Sequence, residues 1–231
     1  MKKYKNYYLP EDDAHYLDYF KKFDHYQEAQ RNRALAQISN WRVALDIGAN
    51  IGLWARELSN LFDHTICFEP NSKCIKYLEK NINMNKSMIY NVGVGSENKQ
   101  MDLFAPINSG GSSFINETVI GFNKDGSKIY GEFSKNVSKQ PTQIVTIDSY
   151  NFNNVDFIKI DVQGFELEVL QGAFKTLIEN NPVICIEEIL TDLEDSDPIK
   201  YLADLKYDVV DRVNKEVILK KKLKLNRLIL I

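Results

Sequence analysis

From Val43 onward the sequence predicts an α/β fold with a doubly wound, mostly parallel sheet. Three observations predict it. Short apolar runs alternate with amphipathic helical stretches, as in a parallel sheet covered on both faces. Acidic residues and glycine stand where several of those runs end. The last two runs, YDVVDRV and EVILKKK, are separated by only two residues and read as a closing antiparallel hairpin.

The elements follow in order. Residues 14–41 read as helical, because Tyr16, Tyr19, Phe20 and Phe23, then Ala34, Leu35 and Ile38, recur at three- and four-residue spacing among charges. Residues 1–41 are therefore expected to form an N-terminal helical extension to a domain spanning 42–231. VALDIGA (43–49) is the first strand of that domain, and 51–62 a helix with Ile51, Trp54, Ala55, Leu58 and Leu61 on one face. HTICFEP (64–70) and a helix over 71–85 come next, then MIYNVGVG (88–95) as a third strand. MDLFAP (101–106) reads as an extra edge strand. Residues 107–140 are polar and rich in Gly, Ser, Asn and Lys; an insertion of that length suggests a substrate lid or binding loop. QIVTIDSY (143–150) restores order before the strand VDFIKID (155–161) and a helix over 165–178. PVICIEE (182–188), a helix at 197–205 and the hairpin complete the chain.

The 231 residues carry 29 Lys and Arg against 32 Asp and Glu, a net charge of −3. That balance lacks the electrostatic footprint of a bulk nucleic-acid binder. The three cysteines, Cys67, Cys74 and Cys185, form no C-x-x-C pair, which argues against a disulfide or zinc scaffold and for a reducing, cytoplasmic setting. No run approaches 18 apolar residues and the Lys- and Tyr-rich start has no apolar core, so neither a membrane span nor a signal peptide is predicted. The C-terminal KKKLKLNRLILI reads as a strand with a basic tail.

In a doubly wound sheet, ligands bind beyond the carboxyl ends of the strands, where strand order reverses. The first such end is Asp46-Ile47-Gly48-Ala49-Asn50-Ile51-Gly52. Gly48 permits a sharp turn close to a ligand and Gly52 lets the helix sit close. The loop is G-A-N-x-G rather than G-x-G-x-x-G, which argues against a nicotinamide dinucleotide. Glu69 ends the second strand, where a carboxylate accepts hydrogen bonds from ribose hydroxyls. Together these ends describe a pocket for a nucleoside without phosphates, and S-adenosylmethionine fits. The competing reading is that Asp46 and Glu69 only cap strand ends.

LDIGANIGLWAREL, CFEPNSKCIKYLEKNI, TIDSYNFNNVDFIKIDVQGFELEVLQGA and NPVICIEE, in that order, resemble the FkbM family of class I S-adenosylmethionine-dependent methyltransferases over about residues 40–190. The resemblance implies a Rossmann-like, seven-stranded fold, S-adenosyl-L-methionine as donor, and an oxygen acceptor, often on a sugar or glycoconjugate. Asp46, Gly48, Asn50, Gly52 and Glu69 match the family's donor-binding positions; Ala49, Leu53 and Pro70 beside them, and Asp161 at the strand end that in this fold sits beside the transferred methyl, are the further donor-binding candidates. The segment with Tyr26, Gln27, Arg31, Ala34 and Leu35, and Asn-Ser-Gly-Gly-Ser at 108–112, are similar to phage-type members, which adds Tyr26 and Gln27 to the donor side.

Asp161, Lys159 and Glu187 are the catalytic candidates. Lys159 shares a strand face with Asp161 by alternation and reads equally as its ion-pair partner. Glu166 opens the following helix, where an acid is favoured by the helix dipole anyway. Transfer to a hydroxyl requires that a proton be removed, a role for a carboxylate. The alternative is Mg2+ held by Asp161, Glu187 and Glu188 and binding two sugar hydroxyls. His25 adjoins Tyr26 and is a further candidate for reaching the donor; His64 and Trp54 read as structural. Methylation of nitrogen on protein or nucleic acid is disfavoured by the lack of an Asp/Asn-Pro-Pro-aromatic strand end. A donor-binding module without turnover is the remaining alternative.

Overall fold

The computed structural model describes residues 1–11, 14–106, 112–114, 121–122, 128–129, 137–188 and 197–222. Most of the 107–140 insertion, including Asn108, and the tail after Lys222 lie outside the described residues.

A hairpin of β1 (Lys2–Tyr4) and β2 (Tyr7–Leu9) precedes α1 (Ala14–Lys22) and α2 (Glu28–Leu35). The hairpin adds strand to an extension read as helical. Three- and four-residue spacing carries no information about so short a strand pair. Asn81 fastens it to the domain: its Oδ1 accepts the Tyr8 N–H at 2.8 Å, and its Nδ2 donates to the Tyr8 and Ile51 carbonyls.

The domain runs β3 (Val43–Ile47), α3 (Leu53–Leu61), β4 (His64–Phe68), α4 (Ser72–Asn81), β5 (Ser87–Tyr90), β6 (Gly93–Val94) and β7 (Lys99–Pro106). The short strands β8 (Gly121–Phe122) and β9 (Lys128–Ile129) pair with each other. Then come β10 (Val137–Val145), β11 (Val155–Ile160), α5 (Glu166–Gln171), α6 (Phe174–Asn180), β12 (Val183–Glu187), α7 (Pro198–Asp204), β13 (Tyr207–Val213) and β14 (Glu216–Lys221). The large sheet has seven strands in the order β13-β14-β12-β11-β3-β4-β5. Its strands are parallel except β14, which runs antiparallel to both β12 and β13. Strand order reverses between β3 and β11, so the switch point lies beyond Ile47 and Ile160.

Alternation sends the two faces of the sheet into separate cores. Leu45, Ile47, Ile158, Ile160, Ile184 and Ile186 pack with Val169, Leu170, Leu177 and Leu202 from α5, α6 and α7. Ala44, Phe157, Val183, Cys185 and Ile218 pack with Ala34 and Leu35 of α2 and with Trp54 and Leu58 of α3. The second face also carries Asp46 and Lys159, directly opposite each other in register.

Within the domain, three further elements differ from the sequence reading. Residues 88–95 divide into β5 and β6, which belong to different sheets. The predicted edge strand, β7, joins β6 and β10 in a separate three-stranded sheet. The helix over 165–178 is two helices, because the Asp148 carboxylate accepts the Lys175 and Thr176 N–H groups at 2.8 and 2.9 Å and the Asp148 N–H donates to the Gly172 carbonyl, so the helical bonds across Gly172 are replaced. No described helix is long and apolar enough to cross a membrane.

Candidate functional site

The β3–α3 loop is built on positive φ angles: Gly48 at 84°, Asn50 at 51° and Gly52 at 85°. Gly48 and Ala49 N–H groups both donate to the Phe68 carbonyl, at 2.9 and 3.1 Å, so the loop is tied to the end of β4. A Cβ on Gly52 would meet Leu78 Cδ1 at 2.8 Å, which sets how closely α3 approaches α4. The side chains of Ala49 and Leu53 point into cores, leaving their backbone to face the loop. Asp46 is buried beneath the first turn of α3, where the Ala55 N–H donates to its carboxylate. Its Oδ2 has no hydrogen-bond partner among the described residues. Burial pushes Asp46 up to about 7, with Lys159 opposing and Asp161 adding to the shift.

Glu69 joins this loop to the next. Its Oε2 accepts the Asn50 N–H at 2.7 Å and its Oε1 the Asn71 N–H at 2.8 Å. Burial raises it to about 7 against those two hydrogen bonds. Both oxygens are therefore engaged by backbone, each with a second lone pair for a ligand. The Pro70 carbonyl accepts from Asn91 Nδ2 at 3.0 Å and Gln140 Nε2 at 2.7 Å, fixing the β4–α4 turn against the small sheet.

At the end of β11, Asp161 meets Glu187 of β12. Gln163, at φ 56°, places its Nε2 2.7 Å from Asp161 Oδ1 and 2.8 Å from Glu187 Oε2, and the two carboxyls also hydrogen-bond to each other. Burial, then the Asp161 charge, pushes Glu187 up to about 8. For Asp161 desolvation is outweighed by the Lys159 charge and by hydrogen bonds from Glu187 and Gln163, which hold it below the usual carboxylate range. Burial and mutual repulsion thus favour a shared proton on the pair. Glu166 is buried and closes the preceding loop, accepting the Val162 N–H at 3.2 Å and the Gly164 N–H at 3.0 Å.

Lys159 is 1% exposed, with Nζ 3.7 Å from Asp161 Oδ2, 3.2 Å from Glu216 Oε2 and 5.3 Å from the centre of the Trp54 ring. Enclosed in this way, it touches the strand ends through Asp161 and Glu216. The three acids proposed for magnesium are not brought together. Consecutive strand residues point to opposite faces, and Glu188 pairs with Arg212 at 2.5 Å while Glu187 turns to Asp161. Among the described residues no group of three His, Cys, Asp or Glu is arranged to hold a metal ion.

The N-terminal segment lies over this pair. Burial and the charge of Asp161 push the Tyr26 phenol up, Lys159 pulls the other way, and Glu187 adds to the rise. Gln27, held at φ 44°, accepts the Trp54 indole N–H on its Oε1 at 2.5 Å. Arg31, 4% exposed, donates to the Tyr26 carbonyl at 2.7 Å and fixes the turn between α1 and α2. His25 instead lines a surface cleft of about 240 Å³ with Lys5, Tyr7, Asp24, Arg56 and Glu57. On the opposite side Ser113 Oγ donates to the Gln163 carbonyl at 3.0 Å, and Phe114 packs on Phe165 at 5.5 Å.

The fold thus brings Asp46, the Gly48–Gly52 loop, Glu69, Asp161, Glu187 and Tyr26 to one end of the sheet. Sequence reading missed Gln163, Glu216 and the dual contact of Trp54. For Gln163 the signal was its place two residues after Asp161 in the D-V-Q-G-F-E motif; for Glu216 there was none.

The sheet order, with a glycine turn at its switch point, defines a Rossmann-like methyltransferase fold. The model of the methyltransferase FkbM domain matches residues 46–209, and the chain belongs to that family. A crystal structure of an FkbM methyltransferase from Methylobacillus flagellatus KT shares the fold with a TM-score of 0.53 at 17% identity, covering 80% of this chain and 45% of that one. The chain thus spans less than half the length of that structure. Precorrin 8W decarboxylase from Methanobacterium thermoautotrophicum matches with a TM-score of 0.49 at 12% identity, over 96% of this chain and 100% of that one. An rRNA methylase from Streptococcus thermophilus gives 0.48 at 10%, over 84% and 95%. No curated protein matches the chain at a significant level.

Proposed function

We propose that the protein is an O-methyltransferase that moves the methyl group of S-adenosylmethionine to a hydroxyl of a sugar or glycoconjugate. The observation that carries the reading is the Asp161–Glu187 pair, bridged by Gln163 and standing beside the glycine loop at the switch point. Family membership supplies the donor. The residues fit it: the unpartnered Asp46 oxygen suits a cationic group, Gly48 leaves no Cβ to obstruct the approach, and Glu69 has acceptor capacity for a ribose.

When bound, the donor supplies an electrophilic methyl on a sulfonium. The chain's own part is to align the acceptor oxygen with that methyl and to take its proton. Asp161, ionised and 29% exposed, is the group placed to accept it, and Glu187 and Gln163 hold its carboxylate in orientation. Lys159 keeps Asp161 charged from below. Tyr26 and Gln27 close the site from above, which limits the water that competes with the acceptor.

The test is calorimetry of the full chain with S-adenosylmethionine and S-adenosylhomocysteine, followed by mass spectrometry over glycans, glycoconjugates and oligonucleotides. Donor binding with a gain of one methyl on a sugar hydroxyl supports the reading. No binding by folded protein, or transfer to oligonucleotides alone, defeats it.

A further inference from the structure

Glu216 opens β14, in the hairpin that closes the sheet and beyond the residues matched by the family model. Register sets it opposite Glu187. Its side chain is 3% exposed, and its Oε2 accepts from Cys185 Sγ at 3.4 Å as well as facing Lys159 Nζ at 3.2 Å. A carboxylate buried this completely near two others is unfavourable unless a cation sits among them. Lys159 is that cation, and it is closer to Glu216 than to Asp161.

The charged and titratable groups around the ammonium come from every neighbouring element. Asp46 faces it from β3, Asp161 from the end of its own strand, Cys185 and Glu187 from β12, and Glu216 from β14. Tyr26 closes the set from the α1–α2 turn, and Lys215 flanks Glu187 on the outer side at 3.6 Å. Lys159 also donates to the Ile160 carbonyl at 3.3 Å, and its flexible four-carbon stem lets the ammonium shift about that bond with the balance of these charges. Without the Glu216 charge, the nearest remaining anion is Asp161.

We propose that Glu216 is a positioning residue for the transfer: it holds the Lys159 ammonium off Asp161, so that the Asp161 carboxylate keeps the orientation set by Gln163 and stays available to the acceptor hydroxyl. The proposal rests on the methyl-transfer reading for its consequence, though not for its geometry. A lysine drawn fully onto Asp161 neutralises the base and competes with the Gln163 hydrogen bond. Removing the lysine as well removes that competition.

The test compares wild type, Glu216→Gln and the double variant Glu216→Gln/Lys159→Met, each checked by thermal melting. The Gln163 side-chain amide resonance, assigned through its loss in Gln163→Leu, reports the Asp161–Glu187 geometry without donor or acceptor. The expected result is that Glu216→Gln moves this resonance and lowers kcat by about 100-fold, the scale of a 1 Å misplacement, with donor affinity unchanged. The double variant returns the resonance toward its wild-type position, while kcat stays low because Lys159 no longer keeps Asp161 charged. A resonance that stays put in Glu216→Gln, or moves further in the double variant, overturns the proposal. Should Glu216→Gln not fold, Glu216→Asp, which keeps the charge and shortens its reach, is read by the same amide: a shift supports the proposal and none overturns it. The amide readout needs no turnover, so an error in the methyl-transfer reading shows separately, as absent transfer by folded wild type.

Discussion

The Cβ that Gly48 lacks would stand 1.9 Å from the carbonyl oxygen of Asp161. The first turn of the glycine loop and the end of β11 are therefore in backbone contact across the switch point, and the positive φ at Gly48 makes the contact possible. The glycine loop and the candidate base are thereby tied together by main chain.

Gly48→Ala is accordingly expected to cost more than about 1 kcal/mol of stability, because it adds both a clash and an unfavourable φ, and to abolish donor binding. Gly52→Ala shares the strained φ but meets a leucine methyl, which can shift. It should retain more affinity. Urea denaturation and calorimetry on the two variants give the order; full donor affinity in Gly48→Ala would contradict the role given to this turn.

Glu69→Ala removes the acceptor for two backbone N–H groups as well as the one available to a ribose. Donor affinity should fall by about 1–3 kcal/mol, the range for hydrogen bonds left unmade at a buried site. Amide exchange should quicken at Asn50 and Asn71 even without donor. Exchange unchanged at both positions would show that Glu69 does not hold the loops.

Stability should fall as pH rises from about 5.5 to about 8. Asp46, Glu69 and Glu166 are raised to about 7 and Glu187 to about 8, each first by burial. Their unfolded counterparts ionise near pH 4 (about 3.9 for Asp and 4.3 for Glu), so across this window the folded chain holds protons that the unfolded chain has released. Stability from such groups is complete below the unfolded value and lost as pH passes the folded one. Asp161 and Asp156 are lowered and act in the opposite sense, but their loss comes at more acidic pH. Differential scanning calorimetry across the window reads the sign directly, and a melting temperature that rises toward pH 8 would refute it.

Methyl transfer should accelerate as pH rises through about 8, where the Asp161–Glu187 pair gives up the proton it shares and becomes the stronger base. The limb should flatten in Glu187→Gln, which holds no titrating proton at that position. A pH–kcat profile identical in wild type and Glu187→Gln would remove the pair from the chemistry.

Trp54→Phe deletes the indole N–H that Gln27 accepts while keeping an aromatic ring over Lys159. The loss of one partly buried hydrogen bond, about 1 kcal/mol, should loosen the turn between α1 and α2. Limited proteolysis between Lys22 and Glu28 should then run faster than in wild type. By contrast Arg33→Ala breaks an exposed pair with Asp211 and should change stability by less than about 1 kcal/mol.

The sequence by itself determined the parallel core and pointed to its strand ends as the candidate site. Apolar runs such as VALDI and VDFIKI, each followed by an acid or glycine, are local signals, and strand ends at a switch point need no tertiary information to be recognised as a site. Tertiary packing decided the rest. Asp148 divides a periodic helix by taking the Lys175 and Thr176 N–H groups, and β7 pairs with β10, a strand from beyond the insertion, rather than with the main sheet. Consecutive Glu187 and Glu188 look alike in sequence, yet pleating sends one to Asp161 and the other to Arg212. Lys159 finds Glu216 only because an antiparallel strand from the far end of the chain sets that carboxylate beside β12. Hydrophobic periodicity records which face a residue takes; the choice of partner for a buried charge depends on long-range register, which no local pattern encodes.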